Sequence, residues 1–385
     1  MNFGSIVWGA IQPVLTVCIV VVLGAFLKRK NIYHQAVMKS LGVLALQVLS
    51  PCLLISKIAV SINLGNMPQY LTIMAISLGY FVFLFIAAGI IYYTTKKYQT
   101  PTFRTSILSA TSFGNVGDFP IAILTVLGDS TPFMMGDADK GIAFITAILL
   151  VYFPLFFSIG LYWIEQDYKS IKSDDFEQLP ETTAPIVQQK TPFYKSKLFK
   201  LIFLNPNIIG IIIGLLFALI PPFNYVFVTK DGPLHFIFKL IQTIGNAYIP
   251  IGLTLFGANL TYANFGIFMK LLGRPVIQTM PTTIYVPISI IIVFKLVICP
   301  VIGIFFVKLL ASVDLIDKSN AMLQFVLMTP LMMPMAQMNL ILAQIYHPKG
   351  KPEEMATLVA ICYIVAPISL IASLSGAIYS VSLGS

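Results

Sequence analysis

The stretch Ser112-Phe113-Gly114-Asn115-Val116-Gly117-Asp118-Phe119-Pro120 interrupts an otherwise apolar segment, and its reading decides the fold. Two glycines, an amide, a carboxylate and a proline do not suit a lipid-facing helix. Glycine loosens the backbone, while proline removes an N–H donor and crowds the preceding turn. At membrane depth, freed backbone groups persist only inside protein or beside a water-filled cavity. A helix broken at mid-membrane is how secondary transporters build a substrate site. This stretch alone predicts a carrier.

The rest of the chain supplies the membrane. Of 385 residues, 57% are hydrophobic and only 10% charged, and the mean hydropathy is +0.88. Such values exclude an ordinary soluble domain. Ten apolar stretches, each near the roughly 20 residues of a transmembrane helix, fall close to 7–27, 37–60, 70–93, 103–128, 141–163, 199–221, 234–258, 283–309, 320–345 and 355–381. The net charge of +9 lies in short loops at the ends of these stretches, which sets orientation and does not form a nucleic-acid stripe. Cys18, Cys52, Cys299 and Cys362 all lie in apolar segments; they read as core residues, and neither a metal nor a cofactor is expected. No basic residue precedes the first segment and Lys28-Arg29-Lys30 follows it. That is the reverse of a cleaved signal peptide, so a retained span is expected.

Loop charges predict the orientation. Lys28, Arg29, Lys30 and Lys39 flank the first loop and Lys96, Lys97 and Arg104 the third, whereas the second has no charge and the fourth carries Asp129, Asp137 and Asp139 against Lys140. Odd-numbered loops then face the cytosol, and both termini face the lumen or exterior. The long loop from Glu165 to about Lys200 mixes acidic residues, prolines and lysines and reads as a polar cytosolic linker. The expected organisation is a five-helix repeat at 1–163, a linker at 164–198 and a second repeat at 199–385. The sequon Asn259-Leu260-Thr261 falls on the cytosolic side and is expected to be unmodified.

Five spans per half force the second half to enter the membrane with opposite polarity. The halves echo one another. Gln47 stands four residues before Pro51 in span two, and Asn246 four before Pro250 in span seven. A helical proline frees the carbonyl four residues earlier, so both amides mark weakened turns. Pro154 in span five answers Pro367 in span ten. Opposite the 114–120 break, span nine holds Thr329-Pro330-Leu331-Met332-Met333-Pro334-Met335-Ala336-Gln337-Met338-Asn339. The predicted fold is all-α, ten transmembrane helices in two inverted repeats, with helices 4 and 9 broken and crossing.

With these residues the chain resembles the auxin efflux carrier superfamily, in particular its PIN-like (PILS) and fungal membrane-transport branch. Carrying the likeness are Gln12-Pro13-Val14-Leu15 and Leu23-Gly24-Ala25-Phe26-Leu27 in span one, and Ser50-Pro51-Cys52-Leu53-Leu54 in span two. Gly114-Asn115-Val116-Gly117-Asp118-Phe119-Pro120-Ile121, Leu255-Phe256-Gly257-Ala258-Asn259-Leu260, and Pro334 with Gln337 and Asn339 complete it. The resemblance implies the fold of bile-acid-type symporters, with a scaffold domain and a moving transport domain. It also implies movement of auxin-like weak organic acids, often at the endoplasmic reticulum (the plasma membrane is the alternative). Asn115 and Pro120 match the family's first crossover, and Pro334 and Asn339 lie in the second. This chain departs from the pattern in its methionine-rich second crossover, which has no glycine. Its third span lacks the acidic residue and lysine that some plant members carry.

The chemistry expected at the crossing follows from its parts. Half-helix N-termini offer unpaired donors and a positive dipole end to an anion. Asn115, Asn339 and Gln337 would add amide donors, with Gly114 and Gly117 allowing close backbone approach; the plainer alternative is that the amides cap their own helices. Asp118 is the acidic residue set deep in a span, at a cost of roughly 2.5–3.5 kcal/mol, and is the candidate for proton coupling. A static pair with Lys57 or simple exposure to water are its alternatives. Lys239 and Lys295 are expected to snorkel to the interface, Lys295 having the attraction of an anion as its alternative. Gly210-Ile211-Ile212-Ile213-Gly214 suits either packing within the monomer or a homodimer.

Among functions, an enzyme and an ATP-driven pump are disfavoured, because no G-x-x-x-x-G-K-[S/T], H-E-x-x-H or G-x-S-x-G pattern occurs. The expected partners are the bilayer and a small organic anion. A channel or a substrate-sensing receptor on the same fold is the rival to a carrier.

Overall fold

The computed structural model describes residues 3–62, 64–128, 132–169, 205–262, 282–347 and 352–382, with some side chains inside these segments, Gln12, Pro13 and Asp118 among them, left out. The described residues are helical, apart from turns and one isolated bridge. Among the described residues, six helices are long and apolar enough to cross a membrane, or seven if Pro206–Leu219 and Pro221–Val228, bent by 93°, count as one span.

In chain order the helices are α1 (Phe3–Arg29), α2 (Gln35–Ser61), α3 (Met67–Thr95), α4 (Ser106–Ser112), α5 (Asp118–Leu127) and α6 (Asp137–Tyr168). There follow α7 (Pro206–Leu219), α8 (His235–Leu260), α9 (Tyr285–Ser312), α10 (Ala321–Met332), α11 (Gln337–Tyr346) and α12 (Glu353–Ser382). Helical structure continues to Lys169 at the start of the predicted linker, and residues 170–204 lie outside the described residues.

Prolines shape the long helices through the carbonyls they leave without a donor. Pro51 cannot donate to Gln47, and a π-turn, Ala45–Leu49, forms there. Pro250 cannot donate to Asn246, and α8 breaks at Ala247 between Asn246 and Tyr248. Pro300 leaves Leu296 in the π-turn Phe294–Ile298, and the hydroxyl of Ser369 on α12 donates to that carbonyl instead. Pro330 leaves the carbonyl of Val326, which accepts from Thr329 Oγ1 at 2.8 Å. Neighbouring hydroxyls thus satisfy groups that lipid could not.

The helices pack as two groups. In the first, α2 packs against α7 and α8, and α1 against α8. Small residues bring these backbones together: a Cβ at Gly24 would stand 2.0 Å from the Thr254 carbonyl oxygen, and one at Gly257 1.9 Å from that of Val21. Gly210 and Gly214 pack within the chain, against Pro51 and Ile58 of α2. In the second group, α3 packs on α4 and α6, and α10 on α6, α9 and α12. The groups meet where α1 touches α5 and α12, α2 touches α6, and α8 touches α11.

Candidate functional site

Both chain breaks lie inside the second group, and they meet. Helix α4 ends at Ser112 and α5 begins at Asp118, while α10 ends at Met332 and α11 begins at Gln337. Between them the two segments run antiparallel through a bridge of Gly114 and Met335. The Asn115 N–H donates to the Pro334 carbonyl at 2.8 Å, and the Ala336 N–H to the Phe113 carbonyl at 2.9 Å. Each unsatisfied group there would cost several kcal/mol, so each break supplies what the other lacks.

Side chains tie the crossing further. Asn115 Nδ2 donates to the Tyr363 hydroxyl at 3.2 Å, and that hydroxyl donates to the Met335 carbonyl at 3.1 Å. One tyrosine on α12 therefore holds both breaks. Ser109 Oγ donates to Asn339 Oδ1 at 2.8 Å, joining α4 to α11. The far ends of the half-helices are also secured. The Asp167 carboxylate accepts from the N–H groups of Thr105 and Ser106, at 2.8 and 2.7 Å, at the start of α4. Asn320 Oδ1 accepts from the Leu323 N–H at 2.9 Å at the start of α10.

A small cavity of about 50 Å³ lies at the crossing, on the seam between the two helix groups. Leu53, Leu54, Lys57 and Ile58 of α2 and Tyr248 of α8 line it from the first group. Asn115, Val116, Gly117, Ala336, Gln337 and Met338 line it from the breaks, with Thr146, Leu149, Tyr152 and Phe153 of α6 beside them. The walls are apolar, with a few amide and hydroxyl groups and one ammonium. Lys57 also borders a wider, open cleft of about 670 Å³, lined among others by Ser61, Tyr70, Asp139, Lys140 and Asn320. A half-buried cation thus stands between cleft and cavity, with no hydrogen bond or ion pair to another described residue.

Sequence-derived candidates divide on this geometry. Asn115, Gly117, Gln337 and Lys57 line the cavity. Gly114 faces the interior of the crossing, where a Cβ would stand 3.4 Å from the Pro330 and Pro334 carbonyl oxygens. Its close approach is between the two breaks. Pro120 falls in the first turn of α5, where its missing N–H leaves no gap. Asn339 is fully buried against Ser109. Asp118 is the first residue of α5; its side chain, and with it the expected pairing with Lys57, lies outside the description.

Three residues escape the sequence reading or contradict it. Tyr363 was indistinguishable from the aromatic residues of an ordinary span, and Asp167 from the polar start of a linker. Lys295 does not snorkel: its side chain is 0% exposed. The π-turn that carries it turns it inward, against Gly114. The sequon residue Asn259 is fully buried, which leaves no room for a glycan.

Residues 9–373 match the family model described as "Membrane transport protein". The chain belongs to that family. Among curated proteins it is similar to Protein PIN-LIKES 6 of Arabidopsis thaliana, 23% identical over 379 residues that cover 84% of this chain and 83% of the relative. An uncharacterized transporter of Saccharomyces cerevisiae, YLR152C, is 22% identical over 196 residues, covering 49% of this chain and 33% of the relative. Protein ECM3 of the same yeast is 25% identical over 193 residues, covering 50% and 31%. The matched stretch thus spans about a third of each yeast protein. These matches place the membrane transport protein in the auxin efflux carrier superfamily, with its PIN-like and fungal branch.

Proposed function

We propose that this membrane transporter is a secondary carrier of small organic anions, auxin-like indole carboxylates being the first candidates, working by alternating access around the crossed breaks. The reading takes the chain as ten transmembrane helices in two inverted five-helix repeats. Its α4–α5 and α10–α11 pairs are the broken fourth and ninth spans. By the loop charges both termini face the lumen or exterior, and the cleft beside Lys57 opens on that same side. The endoplasmic reticulum is the proposed membrane, by likeness to the family.

The observation that carries this reading is the position of the cavity on the seam between two helix groups. A site shared by two bodies is remade when one moves past the other, as alternating access requires. A pocket for a drug-sized ligand measures about 300–1,000 Å³. At about 50 Å³ this cavity admits only a few water molecules, so the groups must part to admit an organic acid. Its lining suits such a guest: apolar walls for a ring, and Asn115, Gln337 and two half-helix N-termini for a carboxylate. Lys57 supplies attraction at the mouth. Asp118 is the proposed proton carrier.

A channel or a substrate-sensing receptor is the alternative reading. The narrowness of the cavity beneath a wide cleft favours the carrier over an open pore. The test is uptake of labelled indole-3-acetate into proteoliposomes holding the full chain. Saturable uptake is expected. Its absence in folded protein would reject indole carboxylates as substrates.

A further inference from the structure

Two neutral amides outside the cavity are buried without the hydrogen bonds that burial demands. Asn259 on α8 is 0% exposed and Gln344 on α11 1%. Both polar atoms of the Asn259 amide, and Nε2 of Gln344, have no hydrogen-bond partner among the described residues. Buried polar groups are nearly always paired, and an apolar side chain of similar size would be cheaper at either position.

Register places the two amides at one level of the seam between the helix groups. Gly252 of α8 abuts Gln337 of α11, whose Nε2 lies 3.7 Å from where a Gly252 Cβ would stand. Asn259 and Gln344 each lie seven residues beyond that pair. Seven residues make nearly two full turns, so both return to the face that carried the pair. The two helices also run the same way. Leu255 and Ala258 of α8 cluster with Met38 of α2, while Ile341 and Ile345 of α11 pack on Gly42, one turn along α2. Both helices therefore lead from the cavity toward the start of α2. Seven helical residues rise about 10 Å, which sets the amides that far below the cavity. Beyond them, Lys28 Nζ donates to the Tyr262 hydroxyl at 3.0 Å, at the end that the loop charges give to the cytosol. Phe256 lies between the two levels on α8, its ring against that of Tyr363 with centroids 4.5 Å apart.

We propose that Asn259 and Gln344 form a second subsite for the transported carboxylate, on the cytosolic side of the cavity and closed in this structure. Their NH2 groups donate to the carboxylate, and Asn259 Oδ1 accepts from a ring N–H. The inference rests on the carrier reading. When the helix groups part on the cytosolic side, the anion leaves Asn115 and Gln337 along the α8–α11 face, and the two amides replace the hydrogen bonds it gives up. Their donors have no protein partner because the ligand is the partner.

The test is labelling of full-length Asn259→Cys and Gln344→Cys with a membrane-impermeant maleimide, in sealed vesicles of each orientation. Wild type gives the background of the four native cysteines. Both variants are expected to react several-fold above background from the cytosolic face alone, and indole-3-acetate is expected to slow the reaction. Asn259→Leu, apolar and of similar size, is expected to keep its melting temperature. It should raise several-fold the indole-3-acetate concentration that half-saturates transport from the cytosolic face, with less effect from the other. Cysteines that never react, or that react from the opposite face, would overturn the proposal. So would an Asn259→Leu variant that transports like wild type from both faces. Labelling reads the opening of the seam whatever the substrate. Intact labelling without wild-type uptake would reject indole carboxylates and leave the subsite standing, whereas intact uptake without labelling would reject the subsite alone.

Discussion

Asn115 and Tyr363, 248 positions apart in sequence, are joined by a 3.2 Å hydrogen bond from the amide to the hydroxyl. The hydroxyl in turn donates to the Met335 carbonyl at 3.1 Å, so the pair of bonds couples the two breaks through a third helix. A buried hydrogen bond contributes about 0.5–1.5 kcal/mol net. Tyr363→Phe should therefore cost about 1–3 kcal/mol and lower the melting temperature. Indole-3-acetate should also saturate uptake at a higher concentration, because Asn115 lines the cavity. Asn115→Ala should weaken uptake in the same direction while leaving the fold intact; unchanged affinity would remove Asn115 from the site.

The crossing of α1 and α8 has no room for a side chain at its two contact glycines. A Cβ at Gly257 or Gly24 would lie 1.9 or 2.0 Å from a carbonyl oxygen of the facing helix. Overpacking of this kind costs about 1–3 kcal/mol, and more where backbone must shift. Gly257→Ala and Gly24→Ala should each lower the melting temperature and the yield of monodisperse protein. Gly79, which has nothing within 4 Å of its Cβ position, is the control; Gly79→Ala should be neutral or slightly stabilising.

Lys57 stands between the open cleft and the cavity, so its charge should act on the approach of an anion. Lys57→Gln should reduce the initial rate of indole-3-acetate uptake several-fold and flatten its dependence on ionic strength. Lys57→Arg should keep most of both. Equal rates for wild type and Lys57→Gln across a salt series would exclude a steering role.

Coupling to protons is tested at Asp118. Under a pH gradient, wild-type uptake should rise, and Asp118→Asn, which cannot exchange a proton, should lose that response while keeping gradient-independent uptake. Identical gradient responses would place the proton elsewhere.

The two breaks were legible because glycine and proline act locally. Gly114, Gly117 and Pro334 fall in or at the edge of the unwound segments themselves, whereas Pro330 is carried inside α10, and the π-turn before Pro51 and the break before Pro250 follow from a missing N–H. Partners in space were not legible. Tyr363 has the same sequence context as any aromatic residue of an apolar span, and only the fold brings its hydroxyl to Met335. Lys295 was misread because a regular helix would let it reach the interface, whereas the π-turn at Phe294–Ile298 re-aims it by a fraction of a turn. Asn339 carries an amide like that of Asn115. It lies inside the first turn of α11 and accepts from Ser109, whereas Asn115 lies in the unwound segment before α5.

The central claim, a carrier that moves organic anions by alternating access, is tested most directly by counterflow. Proteoliposomes are loaded with unlabelled indole-3-acetate and diluted into a trace of labelled compound, with membrane current recorded on the same preparation. The account predicts saturable uptake of label that transiently overshoots equilibrium and depends on the internal load. Label entry that does not saturate, ignores the internal load and accompanies an ohmic current would contradict it and make the crossing a pore.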